Sequence, residues 1–132
     1  MATPQSMTRD QLASLAKSYF QAVDANDVDL VLSHFAPDAT LTVQTDHVTF
    51  TGLDELRQMF SGFITNSKQM LHEVKSIVAD EKTGKVATQQ YFTGESLEGT
   101  QSEMLNCNFF DVNADGKFSR VVIWMAGKNP LK

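Results

Sequence analysis

A single cysteine, Cys107, excludes an internal disulfide in this 132-residue chain. No Cys/His group has the spacing of a structural zinc site, so a reducing compartment is expected. No run of about 18 apolar residues could cross a bilayer, and the N-terminus lacks the apolar centre of a signal peptide. The expectation is a soluble, cytoplasmic protein. Basic residues are scarce too: eleven Lys and Arg stand against sixteen Asp and Glu, giving a formal charge of -5. Without a Lys/Arg cluster to follow phosphates, nucleic acid is not an expected partner.

Metal is equally poorly provided for. Three histidines lack tight spacing and have few carboxylate partners. One stretch imitates a calcium loop: Asp111, Asn113, Asp115 and Gly116 in "DVNADG" match the first half of an EF-hand. The twelfth position, which needs a bidentate glutamate, is Val122, and the flanks alternate as strands. A hairpin turn is the expected structure, with Asn, Asp and Gly supplying left-handed backbone.

What remains is one domain, 1–132, large enough to bury a core without disulfide or metal. Residues 1–7 read as a flexible leader. Leu12, Leu15, Ala16, Tyr19, Phe20 and Val23 recur at helical spacing after Thr8, a plausible N-cap. A short second helix fits "DVDLVLSHF", ended by Pro37, and "ATLTVQ" then reads as a strand. "HVTFTG" suggests another short strand, and Leu56, Met59, Phe60 and Phe63 form a third helical stripe. From Met70 the period changes to two, predicting strands at 70–79, 85–96, 101–112 and 117–126. Helices first and long antiparallel strands afterwards indicate an α+β fold.

The stretch "YFQAVDANDVDLVLSHFAPDATL", with the later "FTGLDELRQMF" and "DGKFSRVVIW", resembles the nuclear-transport-factor-2-like superfamily, in particular its SnoaL-like and ketosteroid-isomerase branches. The resemblance implies a cone-shaped fold: a strongly curved antiparallel sheet wrapped around three helices of the N-terminal half. A ligand pocket at the wide end and a homodimer through the outer sheet face are implied with it. It also implies isomerase, cyclase or dehydratase chemistry without a cofactor, on a small apolar organic substrate such as a polyketide or terpenoid intermediate. The superfamily also contains plain binding and scaffold proteins, and the fold does not choose among them.

Specific positions carry the implied chemistry. By resemblance to ketosteroid isomerase, Tyr19 would donate to a substrate oxyanion; otherwise it is a core tyrosine whose hydroxyl needs a partner. Asn108 falls where that isomerase has its second oxyanion donor, and an amide donates without any pKa shift. Asn106, Met104 and Phe110 share its strand face by alternation. The isomerase's basic aspartate aligns with Val43, which cannot accept a proton, so steroid-isomerase chemistry is in doubt. His72 resembles a pocket histidine of scytalone dehydratase and is the candidate acid-base group, histidine titrating near neutrality. His34 reads as a satisfied core histidine and His47 as an exposed one.

The expected catalytic set is therefore His72, Tyr19 and Asn108, with no metal. Asn106, Gln90, Phe92, Met104, Phe110, Met59 and Val43 are expected to contact substrate. Gln90 is expected to orient substrate if its strand face, shared with Thr88 and Phe92, lines the cavity. A noncatalytic ligand-binding or dimeric interaction protein of the same fold is the alternative.

Overall fold

The computed structural model describes residues 7–126; most of the expected leader, residues 1–6, lies outside the described residues. Helix α1 spans Arg9–Asp24 and starts where expected: Thr8 and Gln11 cap one another reciprocally, satisfying two otherwise orphan amides. Its buried stripe of Leu12, Ala16, Tyr19, Phe20 and Val23 faces the sheet. Helix α2, Val28–Leu32, is capped by Asp27, whose carboxylate accepts from the Leu30 amide.

The second helix ends earlier than the proline rule predicts. Strand β1 runs Phe35–Val43 and contains Pro37. The backbone N–H of Phe118 donates to His34 O at 2.7 Å, so pairing with the last strand captures the chain before Pro37 can act. Pro37 lies at an irregularity between Phe35 and Thr40, where the ladder requires no donor from it.

The remaining elements are β2 (Val48–Thr51), α3 (Gly52–Thr65), β3 (Ser67–Asp80), β4 (Lys85–Ser96), β5 (Gln101–Val112) and β6 (Phe118–Trp124). They form one six-stranded sheet in the order β2-β1-β6-β5-β4-β3. The sheet is not wholly antiparallel as expected: β1 and β6 pair parallel, because the first long strand returns beside the last. The 113–117 segment is a turn, as expected: Asn113 Oδ1 accepts from the amides of Asp115 and Lys117, both at 3.0 Å. Gly116, at φ +74°, supplies the left-handed step that a side chain would strain.

Helices α1 and α3 cover one face of the sheet. Val86, Phe92, Met104, Phe110, Phe118 and Val121 are buried on that inner face. The outer face has no cover among the described residues. There Leu71, Val78, Leu105, Phe109 and Trp124 are each exposed by 46% or more.

Candidate functional site

Strand alternation sets the rows of the site. On the inner face His72 pairs with Phe92 and Phe92 with Met104; the next row is Val74, Gln90 and Asn106. Beyond it lie Thr88, Asn108 and Ile123. Inward-facing rows lie about 7 Å apart along a strand. Under α1 and α3 these rows leave a cavity of about 40 Å³. Its polar wall is Tyr19, His72, Gln90, Asn106 and Asn108. Phe20, Phe60, Phe63, Phe92, Met104 and Met125 supply most of the apolar wall.

His72 is held from three sides. The last residue of α1, Asp24, places Oδ1 2.6 Å from His72 Nδ1 and accepts the His72 backbone N–H through Oδ2 at 2.8 Å. Because β3 is an edge strand, the second bond also caps a ladder donor that would otherwise be free. The imidazole is stacked on Phe20, with centroids 5.1 Å apart, and tilted against Phe92 at 5.0 Å. A carboxylate on Nδ1 favours the tautomer with the proton there, leaving the Nε2 lone pair available. No described residue hydrogen-bonds Nε2.

The amides are oriented as well. Asn106 Oδ1 accepts from the Ala126 backbone N–H at 3.0 Å, which assigns its oxygen and leaves Nδ2 to donate. Asn108 Oδ1 accepts from Gln90 Nε2 at 2.8 Å, and Gln90 Oε1 accepts from the Thr88 hydroxyl at 2.7 Å. Gln90 thus bonds both neighbours, accepting from Thr88 and donating to Asn108, while it borders the cavity itself. Neither asparagine nitrogen is both sealed from the cavity and unpaired. Both remain donors.

Tyr19 borders the same space, its ring edge-on to Phe35, Phe60, Phe110 and Phe118. Burial, with a smaller contribution from the Asp24 carboxylate, pushes its hydroxyl well above the usual phenol range. The group therefore stays protonated and can donate at any physiological pH.

Three expected substrate contacts lie elsewhere. Val43, Met59 and Phe110 are buried in the surrounding core and do not border the cavity. Each is buried, as alternation or helical spacing requires, and Phe110 packs against the cavity-lining rings of Tyr19 and Phe20, with centroids 5.7 and 6.0 Å away. His34 is buried: its Nδ1–H donates to Leu30 O at 2.8 Å and its Nε2 accepts from the Ser18 hydroxyl at 2.9 Å. His47 is exposed. Sequence reasoning missed Asp24, although a signal exists: an acid in the last turn of a helix opposes the macrodipole and calls for another reason to be there. Among the described residues no group of three His, Cys, Asp or Glu side chains is placed to hold a metal ion, and no helix is long and apolar enough to cross a membrane.

The sequence profile of the SnoaL-like domain matches residues 16–121. No curated protein matches the chain. Among solved structures, the epoxide hydrolase/cyclase-like enzyme SalBIII, of pyran ring formation in the polyether salinomycin, is 18% identical with a TM-score of 0.80. It covers 89% of this chain and 92% of its own. BvnE pinacolase from Penicillium brevicompactum is 16% identical with a TM-score of 0.78, over 89% of this chain and 86% of its own. An NTF2-like protein of unknown function from Exiguobacterium sp. 255-15 is 20% identical with a TM-score of 0.75, over 86% and 99% respectively. At these identities the likeness establishes the fold: a curved open sheet around three helices, the NTF2-like cone.

Proposed function

This chain belongs to the SnoaL-like domain family, and from that premise we propose that its cavity is a cofactor-independent proton-transfer site acting on a small, largely apolar oxygenated molecule. The reaction class is isomerisation, cyclisation or dehydration, and a polyketide or terpenoid intermediate has the right chemistry. The observation that carries the reading is the Asp24–His72 pair at 2.6 Å, at the same cavity as two asparagine donors. In the proposed step His72 Nε2 removes a proton from carbon or hydroxyl, and Asp24 stabilises the imidazolium that forms. Negative charge moves to a substrate oxygen, which accepts from Asn108 Nδ2, Asn106 Nδ2 and the Tyr19 hydroxyl. The imidazolium then returns the proton, to another carbon in an isomerisation or to a leaving hydroxyl in a dehydration.

One observation favours a second reading. A cavity of about 40 Å³ holds a water molecule or little more, whereas ligand pockets usually span roughly 300–1,000 Å³. Catalysis on a larger molecule requires Met104, Met125 and the rim phenylalanines to move aside. A noncatalytic domain whose own side chains fill its pocket requires no such movement. The outer face belongs to the proposal too: its apolar residues suit a homodimer in the soluble phase of the cytoplasm.

The test is turnover of a panel of enolisable and β-hydroxy carbonyl compounds by the protein and by His72→Ala, with melting curves alongside. Turnover lost in a folded variant supports the active site. Ligands that bind but are never turned over would establish the binding protein instead.

A further inference from the structure

We propose that Thr88 and Gln90 act as a positioning relay that sets the polarity of the cavity, holding the Asn108 amide with its nitrogen toward the bound molecule; the consequence for ligand rests on the proton-transfer reading. Thr88 is not on the cavity wall among the described residues, and it is only 4% exposed. Its hydroxyl donates to Gln90 Oε1 at 2.7 Å, and Gln90 Nε2 donates to Asn108 Oδ1 at 2.8 Å. Gln90 and Asn108 are each 2% exposed, so water cannot freely replace either bond.

The relay has a direction because a hydroxyl carries one proton. In the reversed arrangement Asn108 Nδ2 would donate to Gln90 Oε1, and Gln90 Nε2 to Thr88 Oγ1. The Thr88 proton would then lose the buried acceptor it has in Gln90 Oε1. A buried unpaired donor is the costlier state, so the hydroxyl selects the observed order. The asymmetry passes along two amides and emerges as an N–H donor in the cavity, where a reversed Asn108 would present an oxygen and repel a substrate oxyanion. Asn106 needs no such relay. The Ala126 backbone N–H can only donate, and it fixes that amide directly.

The prediction is that Thr88→Val, which keeps the branched shape and removes the hydroxyl, abolishes this selection: either order then keeps one Gln90–Asn108 bond and leaves one end of Gln90 unpaired, so Asn108 populates both orientations. Neutron diffraction of the deuterated protein locates the amide deuterons without any ligand, and side-chain amide NMR during titration with formate reads the consequence. In the wild type the Asn108 deuterons face the cavity, and formate shifts their resonance. Thr88→Val leaves only about half of the population with its deuterons toward the cavity and weakens formate about twofold, in proportion to that fraction. Thr88→Ser restores both readouts, and Thr88→Ala provides a second hydroxyl-free variant should valine prevent folding. An unchanged Asn108 orientation in a folded hydroxyl-free variant overturns the relay, as does Thr88→Ser behaving like Thr88→Val. Wild-type protein with the observed orientation that takes no formate upholds the relay and counts instead against the proton-transfer reading.

Discussion

The two faces of β4 and β5 invert the usual arrangement of a sheet. The inner face, beneath the helices, buries Thr88, Gln90, Asn106 and Asn108. The outer face leaves Leu105 and Phe109 about half exposed, beside Trp124 of β6. Buried polar groups and exposed large apolar groups are the informative departures in a globular protein. Each is tolerable only if something pairs or covers it. On the inner face the pairing is internal: amides bond one another and the backbone, and the two asparagines do so through their oxygens. On the outer face no described residue provides the cover. Under the proposed function, the inner face would take a small molecule and the outer face a second copy of the protein.

The comparison breaks hardest at His72. Replacing it with alanine should lower turnover at least about a hundredfold, the usual contribution of a positioned proton carrier, in a protein that still melts cooperatively. Asn108→Ala should cost on the order of a hundredfold in kcat by removing an oxyanion donor. It should also destabilise by about 1–3 kcal/mol, because Gln90 Nε2 loses its buried acceptor. Full turnover in both variants would return the inner face to ordinary packing. On the outer face, Trp124→Ala should weaken self-association roughly thirtyfold, as for a central aromatic anchor. Analytical ultracentrifugation checks this, and a wild type that sediments only at 14.6 kDa at high concentration removes the dimer.

The smallest effect belongs to Tyr19. Its folded pKa is raised from the ordinary 10.0, so its contribution to stability is complete below pH 10 and is lost as pH climbs toward the folded value. Denaturation of the wild type should therefore show a loss of up to about 1.4 kcal/mol per pH unit above pH 10 that Tyr19→Phe lacks. Identical alkaline slopes would place the phenol in contact with solvent.

The sequence was most legible where one periodicity dominated. Strands β4 and β5 lie where alternation puts them, and the α1 stripe and its Thr8 cap needed no tertiary knowledge. The end of α2 was misread because Pro37 acts only if the helix reaches it, and a long-range bond to Phe118 intervenes first. Alternation likewise put Asn106 with Asn108 and Gln90 with Thr88, but could not say that the two strands present these residues on the same face or which amide bonds which. That depends on register: Gln90 lies opposite Asn106 yet bonds Asn108. Asp24 and His72 are 48 residues apart, and only the packing of α1 on the edge strand brings them together.

The central claim, that the Asp24–His72 pair moves protons at this cavity, is tested most directly by deuterium incorporation. Small enolisable ketones incubated with the protein in deuterated water can be followed by NMR at the carbon beside the carbonyl, without knowledge of the natural substrate. The account predicts exchange above the buffer rate for wild type, slowed about a hundredfold in His72→Ala and reduced in Asp24→Asn. Exchange no faster than buffer across ketones shown to bind, or equal rates in wild type and His72→Ala, would contradict it.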